Sequence, residues 1–427
     1  MKTIIPSVKG TRDFYPEEMA IRIWLYQKIR QVSESFGYQE YEAPFLEKID
    51  LYAAKSGEEL VKEQAFVFPD RGGDLITLRP ELTPSLARMV AQKQNELAFP
   101  LRWWSFGPFW RYEKPQRGRT REFFQWNIDL IGPNTPEVDA ELVAICATFF
   151  QNVGLTPDKV VILVNDRRLM DAEVAGMGIP PEKRGDVFRL IDKRDKMRLA
   201  EWEAYAMESG FTPGQLEQLK RLLADPDLWK KSPELARFFA ALEALGMRDY
   251  VQFDSGVIRG LLYYTGTVFE ARERQEGGRA ILGGGRYDNL VSDVGGTPVY
   301  CVGFAMGDVM ITLVLKGLGL LPTAFSYPAQ VLVTTFDDTL LLPSLSLASG
   351  LRRAGINAVS YPEPAKLQKQ FKYADRVGIR FVVIMGPDEE KEGKVTVKDL
   401  ASGVQETIQR DCLARKLGEF LAAVPVS

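Results

Sequence analysis

The feature that most limits what this chain can fold into is a change of texture between Asn165 and Asp249, where helix formers dominate and strand signals vanish. Segments Glu182–Lys196, Leu199–Ser209, Pro213–Ala224 and Ser232–Leu245 read as helices there. Strand-like sequence lies on both sides. A helical block inside strand-rich sequence implies one domain interrupted by an insertion. The 427 residues exceed one average domain and imply two or three.

Before the block, Pro16–Gly37 reads as a helix whose residues Ile21, Trp24, Ile29 and Val32 fall mostly on one face. Tyr38–Leu46 is extended and broken by Pro44. Ala65–Val67 and Leu75–Leu78 are short strands, Leu82–Gln94 is a helix, and Leu101–Tyr112 and Phe123–Leu130 are strands joined by a polar loop. Pro136–Val153 is a helix. After the block, Tyr250–Phe253, Thr267–Arg272 and Ala280–Leu282 are strands, and Val302–Leu318 is a strand feeding a helix. Leu320-Leu321-Pro322 and Tyr327-Pro328 mark a linker. Beyond it strand and helix alternate, ending in a helix over Ile408–Ala422, which indicates a separate α/β domain. The expected fold is α+β: an antiparallel sheet with flanking helices over 1–164 and 250–322, a helical insertion over 165–249, and a mixed-sheet α/β domain over 328–427.

The chain contains no histidine. That excludes Ser-His-Asp and Cys-His catalysis, HExxH zinc sites and every imidazole proton shuttle. Chemistry that rests on positioning and charge neutralisation, such as nucleotidyl transfer from ATP, survives the exclusion. Cys146, Cys301 and Cys412 form no CxxC pair or zinc spacing and read as buried free thiols; no metal-ligand set is expected. The formal net charge of -3 provides no global field for nucleic acid, so RNA contact must use local basic patches. No apolar run is long enough to cross a bilayer, and Met1–Gly10 lacks the apolar core of a signal peptide, so a cytoplasmic location and no membrane partner are expected.

Four stretches can carry chemistry. Arg111–Arg121 places Arg111, Lys114, Arg117, Arg119 and Arg121 against the single acid Glu113. Such a run is commonly a solvated hairpin tip. Here its flanks, Trp103–Trp110 and Phe123–Trp126, are aromatic and apolar, so the loop rises from a buried sheet and its arginines suit phosphate. In Leu78–Pro84, Glu81 can hold an ammonium group; the plain alternative is a helix capped by Thr83. Arg259–Glu270 combines an arginine, two tyrosines and an acid, or is simply a Gly-bounded loop before a strand. Gly283-Gly-Gly-Arg-Tyr-Asp288 lets a ligand approach the backbone closely, or is a flexible turn.

Taken in order, these segments resemble the histidyl-tRNA synthetase family, a class II aminoacyl-tRNA synthetase, along nearly the whole chain. Gly10–Pro16 resembles the family's opening, and Tyr41-Glu-Ala-Pro44 resembles motif 1. Phe109–Arg111 through Gln125 and Asp129 resembles motif 2. Arg259–Glu270 and Gly283–Asp288 resemble the histidine-specific signatures. Ile191–Lys196 resembles the family's insertion, and Lys369–Ala374 and Gly378–Gly386 its anticodon-binding domain. The resemblance implies that histidine is joined to ATP and then to tRNA(His) by a homodimer, with Mg²⁺ accompanying ATP. Glu81 and Thr83 would hold the amino group, and Gln125 and Asp129 would seat the amino acid. Tyr263, Tyr264 and Tyr287 would face the imidazole. Arg111 and Arg259 would neutralise the α-phosphate, and Glu113, Arg119, Arg121 and Gly307 would complete the ATP site. No general base is needed, because the attacking carboxylate is already ionised.

Two positions depart from the family pattern. Leu262 stands where an aspartate is usual, and Met310 stands where motif 3 usually ends in an arginine. Methionine can pack on an adenine but cannot neutralise a phosphate. Arg117, Arg119 and Arg286 are the candidates for that charge. The alternatives are a histidine-sensing regulatory subunit of ATP phosphoribosyltransferase, whose members generally lack the C-terminal domain, and a binding module with a degenerate catalytic domain.

Overall fold

The structure is a computed structural model and describes residues 4–53, 63–180, 183–194, 197–258, 264–275, 278, 280–322 and 327–422. It divides into two compact units, Met1–Leu321 and Pro322–Ser427.

In the first unit the helix Pro16–Ser35 opens with proline at its start and Glu17 and Glu18 in its first turn, which suits the positive end of the helix dipole. It buries Leu25, Ile29 and Val32 at helical spacing. These residues join the core formed by the helix Pro136–Asn152, whose apolar residues run nearly all round and which is accordingly buried. That core covers one face of an eight-stranded sheet. Its order is Gln39–Glu40, Leu101–Trp110, Glu122–Gly132, Tyr300–Gly307, Ala280–Arg286, Thr267–Glu273, Val160–Asp166, Val251–Phe253. Pairing is parallel at the two outermost pairs and antiparallel between them. The hairpin Leu101–Trp110 with Glu122–Gly132 aligns Phe109 with Phe123, whose rings stack at 5.9 Å. Its end lifts the basic loop out of the aromatic sheet.

The parallel pair Val160–Asp166 and Val251–Phe253 explains the insertion. Parallel neighbours need a crossover connection, and the helices Arg167–Gly176, Arg184–Lys193, Leu199–Glu208, Pro213–Ala224 and Pro233–Ala244 form it. Thr212 and Gln215 cap one of them reciprocally, and Ser232 caps the last. Trp202, Leu219 and Phe238 share one continuous core with Trp104 and Trp126 of the sheet. The sequence pattern marks no element between Val153 and Glu182, where the structure has a strand and a helix. Val160–Val164 is an unbroken apolar run, and such a run has no period to read.

In the second unit the sheet order is Ala358–Ser360, Val331–Val333, Phe381–Ile384, Lys394–Asp399, Gln405–Gln409, parallel over the first three and antiparallel over the last two. This is the expected mixed sheet with its own core. One expectation fails: Ile408 does not start the last helix. Gln405–Gln409 is a strand paired with Lys394–Asp399, with a Thr396–Thr407 hydroxyl contact of 2.8 Å, and the helix begins at Leu413. A short helix, Pro387–Glu392, is also absent from the sequence expectation.

Candidate active site

The strand Glu122–Gly132 alternates its side chains, so Gln125, Asn127 and Asp129 share one face. They line a cavity of about 460 Å³ together with Glu81, Thr83, Arg111, Tyr264 and Tyr287. A second cavity of about 200 Å³ shares Arg111, Glu113 and Arg119 with the first and adds Phe123, Gly307 and Met310. Most residues singled out from the sequence therefore converge. Arg259 and Tyr263, with Leu262, lie outside the described residues.

The polar end of the larger cavity is deeply set. Asp129 is buried, accepts a hydrogen bond from the Tyr287 hydroxyl, and is pushed up to about 7 by burial, with the Tyr287 bond opposing. Burial and the neighbouring Asp129 push the Tyr287 hydroxyl well above the usual tyrosine range. A Cβ at Gly303 would collide with the Asp129 carboxylate, so glycine on the adjoining strand makes the room for it. Tyr264 lies against Gly285, where a Cβ would come within 2.9 Å of its ring. The glycine triplet is thus strand, not a flexible turn: Gly283 lines the cavity and Gly285 seats a tyrosine. Thr83 is not a cap either. The helix Thr83–Lys93 starts on it, without a side-chain cap bond.

At the other end, Arg111 donates through Nε to the Pro80 carbonyl at 2.9 Å and lies 5.4 Å from the Phe123 ring centre. Both contacts fix its fork. Arg119 pairs with Glu113 at 3.2 Å and remains largely exposed. Arg121 does not line either cavity; its guanidinium stacks over Tyr112 at 3.9 Å. Arg117 lies along a neighbouring cleft with Lys159 and Arg274. Arg286 is corrected outright as a phosphate candidate. It is 1% exposed and held in an ion pair with Asp139, with Asp288 alongside. Met310 rests on Gly118 of the basic loop and lines the smaller cavity.

Three further residues bear on the site without having been singled out by sequence: Asn127, Arg12 and Asp308. Asn127 was readable from its period-two spacing between Gln125 and Asp129. Arg12 and Asp308 lie 296 residues apart, and no local pattern joins them: Asp308 accepts from the Arg12 guanidinium and from the Phe124 backbone N–H, each at 2.9 Å. Burial raises the Asp308 carboxyl, against the pull of Arg12. Among the described residues no group of three acids or cysteines converges as metal ligands, and no helix is long and apolar enough to cross a membrane.

A largely antiparallel sheet carrying an aromatic hairpin, a basic loop and a pocket acidic at one end and cationic at the other defines a class II aminoacyl-tRNA synthetase. The histidyl-tRNA synthetase family profile matches residues 10–309, and an anticodon-binding domain profile matches 330–420. The histidine–tRNA ligase of Arabidopsis thaliana chloroplasts and mitochondria is 39% identical over 93% of this chain and 83% of its own length. That of Leptospira biflexa is 33% identical over 99% of both. The crystal structure of a Nostoc histidyl-tRNA synthetase superposes with TM-score 0.79 at 27% identity, covering 98% of this chain and 100% of that one. The chain belongs to the histidyl-tRNA synthetase family. A regulatory subunit lacking the C-terminal domain is not better supported by these matches.

Proposed function

We propose that the chain is a histidine–tRNA ligase that forms histidyl-adenylate in the two adjoining cavities and transfers the histidyl group to tRNA(His). The observation that carries this reading is the polarity of the pocket. Glu81, Asp129 and the tyrosines gather where an ammonium and an imidazole need acceptors and a snug wall, and Arg111 and Arg119 gather where anions meet. Histidine sits between Glu81–Thr83 and the Gln125, Asp129, Tyr264 and Tyr287 group. Arg111 holds its carboxylate beside the α-phosphate, and Phe123, Gly307 and Met310 border the nucleotide. Two anions must approach for the reaction to occur, and fixed guanidinium groups stabilise the charge that develops. Arg259 is assigned the same role from the sequence resemblance, as Tyr263 is assigned to the imidazole wall. Mg²⁺ is assigned from the sequence resemblance and would accompany the triphosphate, whose oxygens suit it as ligands.

Residues 1–164 and 250–322 are assigned to catalysis, 165–249 to the insertion and 328–427 to the anticodon. A homodimer in the cytoplasm is the assigned state. The small sheet of Leu46–Lys48, Leu75–Leu78 and Phe66–Pro69 supports the dimer, because Leu46, Val67, Phe68 and Leu75 are all exposed there.

ATP–pyrophosphate exchange with each amino acid in turn tests the reading. Histidine alone is expected to drive exchange. Exchange with another amino acid, or with none, overturns it.

A further inference from the structure

Asp308 is 4% exposed, a carboxyl group buried at the start of the helix Asp308–Gly317. Burying a carboxylate is costly unless its oxygens are taken up. Here each oxygen has a different partner. Oδ2 accepts from Arg12 Nη2 at 2.9 Å, and Oδ1 accepts the Phe124 N–H at 2.9 Å, at the start of the strand that leaves the basic loop. The segment carrying Arg12 also grips the same limb: the Gly10 carbonyl accepts the N–H groups of Arg121, at 2.8 Å, and Glu122, at 3.2 Å. Aromatic packing reinforces the join, with the Arg22 guanidinium 4.7 Å from the Phe14 ring and 4.3 Å from the Phe124 ring.

Two residues after Asp308, Met310 rests on Gly118. Gly118 lies in the loop's tip, where Gln116 and Arg119 exchange backbone hydrogen bonds of 3.1 and 2.9 Å. One helix start therefore holds the loop at its base through Asp308 and at its tip through Met310.

We propose that Arg12 and Asp308 are positioning residues for the nucleotide: their ion pair fixes the basic loop so that Arg119 and the loop tip face the ATP cavity, while Arg111, which also holds histidine, keeps its own anchors on the Pro80 carbonyl and the Phe123 ring. The proposal rests on the assignment of that cavity to ATP. It requires no contact between either residue and substrate. Asp308 acts through the Phe124 N–H and the helix start, and Arg12 acts through Asp308 and the Gly10 carbonyl.

Calorimetric titration of the full chain with ATP, and separately with histidine, tests it. Arg12→Gln and Asp308→Asn are each expected to weaken ATP binding about tenfold, a size usual for removing one coupled contact, and to leave histidine binding within about twofold. The double variant should bind ATP no worse than the weaker single one, because both substitutions remove one interaction. Arg12→Lys keeps the pair and should stay within about threefold of the parent; this variant and Arg12→Gln suffice if Asp308→Asn does not fold. Unchanged ATP affinity overturns the proposal. So does equal weakening of ATP and histidine, which marks a merely structural pair. If the parent binds ATP but histidine drives no pyrophosphate exchange, the ligase reading fails while the ATP affinities still decide this one. If the parent binds no ATP, both fall.

Discussion

At the scale of single residues, the site is set by groups whose burial changes their chemistry. Asp129 keeps its proton to about pH 7 because burial disfavours the anion; a free aspartate loses it near pH 3.9. Between those values the folded chain holds a proton that the unfolded chain has released, so stability falls as pH rises through that window and is lowest above it. Asp129→Asn keeps an acceptor for Tyr287 and removes the cost. Its melting temperature should exceed the parent's at pH 8, with the gain vanishing towards pH 4, while histidine binding weakens. An equal gain at both pH values would contradict the assignment. Arg286 makes the opposite case. Its ion pair with Asp139 is fully buried, so Arg286→Ala strands a carboxylate and should cost about 3–5 kcal/mol in denaturant unfolding. The sequence displays Arg286 beside three glycines and invites a phosphate. Its true partner, 147 residues away, is invisible to any local pattern. Asp129, by contrast, is legible through the family resemblance around Gln125, and the alternation of the strand places it on the same face as Gln125.

At the scale of elements, the basic loop and its flanking strands are readable, since aromatic runs on both sides of five cations mark a loop rising from a buried sheet. What holds the loop is not, because Met310 and Gly118 meet only in three dimensions. Gly118 has a φ of +81°, a region that costs other residues about 1 kcal/mol or more, and a Cβ there would meet the Met310 sulfur. Gly118→Ala should weaken ATP binding about tenfold. Adding Met310→Ala should recover only part of the loss, because the clash goes and the backbone strain stays. Full recovery, seen in ATP titrations, would show that the strain does not matter. The difference near the C-terminus has a similar origin. Gln-Glu-Thr-Ile-Gln over Gln405–Gln409 presents one apolar residue in five, too few to fix a period, and its strand character comes from pairing with Lys394–Asp399.

At the scale of the molecule, each unit owns its hydrophobic core, so residues 1–321 should fold alone. That fragment is expected to keep histidine-dependent pyrophosphate exchange within about threefold and to lose most tRNA charging, since the 330–420 match is to an anticodon-binding domain. A fragment that charges tRNA as the whole chain does would remove that domain from the reaction. Light scattering should give a dimer, and paired Leu46→Asp and Phe68→Asp substitutions should shift it towards monomer.

The pocket proposed for histidine is lined by arginine, tyrosine and carboxylate side chains, and the 427 residues contain no imidazole at all. A ribosome making this polypeptide never waits for the charged tRNA that the polypeptide itself produces. When histidine runs short, messages rich in its codons pause, while a ribosome on these 427 codons meets no histidine codon. Ribosome footprints collected during histidine starvation should accordingly show no starvation-induced pause anywhere along these 427 codons.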